Sequence, residues 1–281
     1  MEDSPTYVLA FAVVTTLVTL LLVRGVYGFI HRRAKATRKT RAERFVMGGQ
    51  IAATFLVSAS SVESGLGNES ISRDALWTAT YALTSLGLLV LSSELGVRLL
   101  LGGRLDREIK SGNTAAGVAA GCLWTASGIV TAAAISGEGS TELFLGIGFF
   151  LVAMVALHLL ATAFRALTTY DDAEQIAGEN LAAAISFGGA TIAFALFVAH
   201  SVSGEFTTVN ESLLGFGRSL VGCVALYPMR QLVVQTFVLG GPLRARGGRI
   251  DASIAGERDV TVAVLEATTY LATALAALHF G

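Results

Sequence analysis

Long apolar runs separated by short polar segments dominate the chain, and eight of these runs are long enough to cross a bilayer. A span needs about 20 mostly apolar residues at roughly 1.5 Å of rise each. The runs fall at residues 7–30, 47–65, 75–101, 114–135, 142–167, 181–202, 212–240 and 260–280. None alternates apolar and polar positions with a period of two, which disfavours a membrane β-barrel. Hydrocarbon offers no partner to a free N–H or C=O, so helices are the remaining solution. The expected fold is all-α: a polytopic membrane helical bundle of eight transmembrane helices arranged as four hairpins.

The pattern also repeats. An apolar helix, a charged loop and a small-residue helix opening near an amide or acid occur four times, with anchors at Gly49-Gln50-Ile51-Ala52-Ala53, Gly112-Asn113-Thr114-Ala115-Ala116, Glu179-Asn180-Leu181-Ala182-Ala183 and Arg258-Asp259-Val260-Thr261-Val262. Each copy is therefore read as the same structural unit. Four units pair into two pseudo-repeat domains of four helices, residues 1–137 and 138–281. The odd-numbered spans are rich in large residues, such as Leu88-Leu89-Val90-Leu91, and the even ones in Gly and Ala. Gly117 and Gly121 form a small-xxx-small pair, which permits close helix approach where lipid supplies no hydrophobic drive. The even helices are expected at the centre and the odd ones against lipid.

Composition agrees with a bilayer setting: 53% of residues are hydrophobic, 15% are charged and only three are proline, against a charged share near a quarter in soluble domains. Charge then orients the chain. The loop after the first run carries Arg32, Arg33, Lys35, Arg38, Lys39, Arg41 and Arg44 against one acid, Glu43. The same side gains Arg104, Arg107, Lys110, Arg244, Arg246, Arg249 and Arg258, while the opposite side has Arg73. The positive-inside rule makes the basic side cytoplasmic and puts both termini outside. The segment 168–180 is the exception, with no Lys or Arg and with Asp171, Asp172, Glu174 and Glu179. The acidic start, Met1-Glu2-Asp3-Ser4-Pro5, lacks the basic region of a signal peptide, so the first run is expected to remain as an anchor.

Candidate chemistry is sparse. Gln50, Asn113, Asn180 and Asp259 stand where loops enter helices, and their side-chain oxygens can cap free N–H groups. The competing reading has them converge on a pseudo-symmetric axis to bind an ion or polar solute. Charges within the spans are costly to bury and usually face protein or water. Arg24, Arg98, Arg165 and Arg230 lie toward the basic end of the odd helices and read as repeat equivalents; snorkelling explains the first three. Glu94 precedes Arg98 by four residues, on one helix face. Glu266, Arg230 and Arg218 form the candidate intramembrane polar site. Glu266 is expected to pair with Arg230, and Pro228 to kink the helix beside it. Cys122, Cys223, His158 and His200 read as isolated core residues, with no metal or disulfide pattern.

The segments Arg107-Glu108-Ile109-Lys110-Ser111-Gly112-Asn113-Thr114-Ala115-Ala116-Gly117 and Tyr170-Asp171-Asp172-Ala173-Glu174-Gln175-Ile176-Ala177-Gly178-Glu179-Asn180-Leu181-Ala182-Ala183-Ala184 resemble the helix-start motifs of the bacterial YjfL-like membrane family, catalogued as domain of unknown function 350. A family domain has about four spans and two such motifs, so the resemblance implies two tandem copies. The motif at 249–260 fits more loosely, and the one at Gln50 departs most, with basic residues where acids are usual. The resemblance implies a bacterial inner-membrane protein, with membrane-stress proteins as partners and no established reaction.

No P-loop, HExxH or nucleotide-binding Gly-rich loop is present, so an enzyme is not expected, nor a cofactor or metal. The basic loop from Arg32 to Arg44 is accounted for by topology and anionic lipid, with no need for nucleic acid. Two function classes stay open: a transporter- or channel-like bundle for a small ion or polar solute, and a non-transporting scaffold or stress-response partner. A homo-oligomer is compatible with either.

Overall fold

The computed structural model describes residues 5–30, 40–68, 70–103, 105–203 and 208–280. The first half comprises α1 (Pro5–Ile30), α2 (Arg41–Gly65), α3 (Ile71–Leu101), the short α4 (Leu105–Ser111) and α5 (Thr114–Ala134). The second comprises α6 (Ser140–Arg165), the short α7 (Asp172–Ala177), α8 (Leu181–Val202), α9 (Val209–Leu220), α10 (Leu226–Met229), α11 (Arg249–Asp251) and α12 (Val260–Phe280). Among the described residues there is no strand, and eight helices are long and apolar enough to cross a membrane. The chain is a multi-pass membrane protein.

The even-numbered spans form a row, α2 beside α5, α5 beside α8 and α8 beside α12. Glycine makes this possible. A Cβ on Gly117 would fall on the Ala42 backbone, one on Gly121 would lie 2.6 Å from the Phe45 carbonyl oxygen, and one on Gly128 would lie 2.5 Å from Ala53 Cα. Gly188 and Gly189 play the same part for α8, against Cys122 of α5 and Ala267 of α12. With no hydrophobic drive between helices in lipid, such close backbone approach maximises dispersion contact. The row therefore runs without a break from the first half into the second.

The expected division between central and lipid-facing helices holds in the middle of the row and fails at its end. In their most apolar windows α5 is 72% buried and α8 78%, against 11% for α1. The last span, α12, is only 28% buried although it packs on α8.

Two element boundaries differ from the hydrophobic pattern. α2 begins at Arg41, not near Met47, because Thr40 and Glu43 form a reciprocal capping box that starts the helix inside the basic segment. The seventh span is not a single α-helix. It passes from α9 through a 3₁₀ stretch, Val221–Ala225, and α10 into a π-helical stretch, Arg230–Val238. Pro228 in α10 lacks the N–H that would continue the ladder, and the wider winding follows it directly. His200 is exposed, not in the core, while His158 is part-buried with Nδ1 2.6 Å from the Met154 carbonyl oxygen. Cys223 is buried and Cys122 half-buried, both as free thiols.

Candidate functional site

Each even helix begins in the same way at three of the four anchors. A short helix closes with a residue of positive φ, namely Gly112, Glu179 and Arg258, and the anchor follows immediately. The anchor N–H returns to the short helix, from Asn113 to the Glu108 carbonyl, Asn180 to Gln175 and Asp259 to Ser253. The anchor oxygen then caps the next helix: Asn113 Oδ1 accepts from the Ala116 N–H at 3.1 Å, Asn180 Oδ1 from Ala183 at 3.2 Å, and Asp259 Oδ1 from Thr261 at 2.7 Å. Side-chain oxygens at this position satisfy N–H groups that the helix itself cannot.

The two asparagines do more. Asn113 Nδ2 donates to the Ile176 carbonyl at 2.9 Å, at the end of α7, and Asn180 Nδ2 donates to the Ile254 carbonyl at 2.8 Å. Each amide thus fastens its own unit to the short helix of the next. Gln50 has no such role. It lies inside α2, buried, with Nε2 lacking an acceptor, and the residue at the start of that helix is Thr40. The amide in the GQIAA string misplaced the first anchor by ten residues.

Arg230 opens the π-helical stretch and is wholly enclosed, as is Glu266 in α12. Arg230 Nε donates to Glu266 Oε1, and its second terminal nitrogen, Nη2, donates to Asp251 Oδ1 at 2.5 Å. The Tyr270 hydroxyl donates to the same Glu266 oxygen at 2.7 Å. Asp251 Oδ2 accepts from the backbone N–H and hydroxyl of Thr169, at 2.6 and 2.9 Å. Phe164 packs edge-on against Tyr270, Tyr227 and Phe194 beside the cluster. Arg230 Nη1 and Glu266 Oε2 remain buried without partners.

A second clasp of the same kind sits one unit earlier. Arg165 at the end of α6 donates through Nε to Asp172 Oδ2 at 3.0 Å, and through Nη1 to the Leu100 carbonyl at 2.6 Å. Asp172 stands eight residues before Asn180, and Asp251 eight before Asp259, so the two Arg–Asp clasps are repeat equivalents. At the matching distance after each anchor, Glu266 has Ala120 and Phe187 as counterparts. Glu266 is thus an added charge on a repeated frame. Beside the Arg165–Asp172 clasp lies a cavity of about 20 Å³, bordered also by Tyr170, Ser186 and Thr191.

Burial drives the electrostatics there. It pushes the Asp172 carboxyl up to about 7, with Arg165 opposing the rise and the negative charge of Glu266 adding to it. The Tyr170 hydroxyl is raised above its ordinary value, first by burial and then by Glu266 and Asp172.

Of the sequence candidates, Glu266 and Arg230 come together as depth predicted, while Arg218 does not join them. It lies exposed on α9, twelve residues from Arg230 and so about 18 Å along a helix axis. Asp251, Asp172, Thr169 and Tyr270 were not among the site candidates of the sequence. The spacing of each Asp from its anchor was the available signal for the first two. Among the described residues, no group of three or more His, Cys, Asp or Glu is placed to hold a metal ion. The loop segment 31–39, where anionic lipid was expected, lies outside the described residues.

A family model described as Domain of Unknown Function (DUF350) matches residues 2–135 and again residues 138–279. No curated protein and no solved structure matches the chain.

Proposed function

The chain belongs to the DUF350 family, carrying two tandem copies of its domain, and from that premise we propose that its second copy is a proton-binding centre in a transporter-like bundle. One observation carries the reading. Three enclosed carboxylates, Asp172, Asp251 and Glu266, share two guanidinium groups, Arg165 and Arg230. Buried charge is tolerated when it is paired, so the surplus carboxylate calls for one more positive charge. A proton is the carrier that fits. The adjoining cavity has room for about one water, and Asp172 exchanges its proton near neutral pH.

In this reading the basic end faces the cytoplasm of a bacterium, the protein sits in its inner membrane with both termini outside, and its role is non-enzymatic. Purified protein in liposomes loaded with a pH-sensitive dye tests it. Wild type is expected to relax an imposed pH gradient faster than empty liposomes, and Glu266→Gln to remove the difference. Equal rates for wild type and empty liposomes would sink the transporter reading.

The alternative, a non-transporting scaffold that works with membrane-stress partners, draws support from the Gly and Ala packing of the helix row. Contacts at the backbone level between α2, α5, α8 and α12 fill the centre of the bundle. Silent liposomes together with a stable complex recovered by crosslinking through the basic end would favour it.

A further inference from the structure

The first half carries a feature unrelated to the buried charge cluster. Among the described residues α1 packs mainly on α2 and α3, and along part of its length a groove parts it from α3. Phe11, Val18 and Leu22 form one wall; Ala75, Ala79 and Leu86 form the other. The alanines are what open it, because larger side chains there would meet α1. Leu83 and Leu86 continue the groove into a second apolar recess of about 500 Å³. Ile30, Glu94 and Arg98 continue that recess into a polar pocket of about 540 Å³ at the basic end. The result is one track, apolar for most of its length and charged at one end. From Ala79 to Glu94 it runs about 22 Å along α3, longer than the ~15 Å of hydrocarbon in one leaflet.

The charged end is mixed in sign. Arg98 and Lys110 supply cations, Glu94 and Asp106 carboxylates, and Lys110 Nζ lies 2.6 Å from Asp106 Oδ2. Tyr27 and Trp124 back the pocket, edge to face at 6.0 Å. A purely anionic headgroup would meet two carboxylates here. A trimethylated amine could not donate a hydrogen bond to them. A primary ammonium joined to a phosphate satisfies both signs, the ammonium at Glu94 and the phosphate at Arg98, through charge-assisted hydrogen bonds.

We propose that the α1–α3 groove and its polar end bind a zwitterionic phospholipid with a primary-amine headgroup, its acyl chain lying along Ala75, Ala79 and Leu86. Such a lipid would fill the space between α1 and α3 and tie the protein to the leaflet at its basic end.

Delipidated protein in detergent, titrated with matched-chain phosphatidylethanolamine, phosphatidylglycerol and phosphatidylcholine and read by native mass spectrometry, tests the proposal. The ethanolamine lipid is expected to bind about tenfold more tightly than the other two, the scale of one charge-assisted hydrogen bond. Arg98→Gln, which loses the contact to the phosphate common to all three, and Ala79→Phe should each weaken all three lipids. Both side chains are exposed, so folding should be retained; size-exclusion profiles check this. Glu94→Gln should lose the preference for ethanolamine over choline, which keeps the proposal testable should either of those variants aggregate. Equal affinity for the three lipids overturns the proposal, as does wild-type binding by the substituted proteins.

Discussion

Arg230 and Glu266, thirty-six positions apart in sequence, meet in a fully enclosed pair through Nε and Oε1. The pair is not symmetrical. Arg230 also serves Asp251, whereas Glu266 has Tyr270 as its other donor. Removing the cation strands two carboxylates, and removing Glu266 leaves the guanidinium one acid. Arg230→Met is therefore expected to cost about 3–5 kcal/mol, the range for an uncompensated buried charge, and Glu266→Gln clearly less. Thermal unfolding in detergent measures the order, and a larger loss in Glu266→Gln would contradict this account.

Asp172 should make stability depend on pH. Its folded-state pKa is about 7 against an ordinary 3.8, so the folded protein holds a proton that the unfolded chain releases. Its contribution is greatest below pH 3.8 and declines as pH rises to about 7, by roughly 1.4 kcal/mol for each pH step between those values. Asp172→Asn, permanently neutral, is expected to unfold at a temperature that changes less between pH 4.5 and 7.5. An unchanged slope would mean that Asp172 is ionised throughout.

Asn180 and Gln50, aligned in the sequence, should respond in opposite directions. Asn180→Ala removes a helix cap and the donor to the Ile254 carbonyl, a loss of about 1–3 kcal/mol. Gln50→Met replaces a buried amide nitrogen without an acceptor, so stability should hold or rise. Equal losses at both positions would restore the Gln50 anchor.

The helix row should be sensitive to volume at defined glycines. Gly121→Val places atoms on the Phe45 carbonyl, while Gly148 has open space around its would-be Cβ. The first change is expected to destabilise by about 1–3 kcal/mol or more, as overpacking does. Gly148→Ala should be neutral or slightly stabilising. Comparable unfolding temperatures for the two variants would show that the row yields to added volume.

Arg218→Gln should leave both flux and unfolding near wild type, within about 0.5 kcal/mol, because Arg218 stands outside the cluster. A flux defect equal to that of Glu266→Gln would return it to the site.

Much of the fold was legible in the sequence because a bilayer imposes one-dimensional rules. The apolar lengths and the absence of strand periodicity yield eight helices. Gly117 and Gly121 announced close packing, and depth alone brought Arg230 and Glu266 to the same level. Local chemistry was legible where it was local: Asn113, Asn180 and Asp259 cap helices that begin one residue later.

Only the tertiary structure decided which partners those residues reach. Hydropathy carries depth but not azimuth, so it could not show that the Asp251 carboxylate reaches Thr169, eighty-two residues away. The Asn180 amide reaching Ile254 and the third carboxylate around two guanidinium groups arise from packing across units. Sequence spacing alone does not encode such contacts.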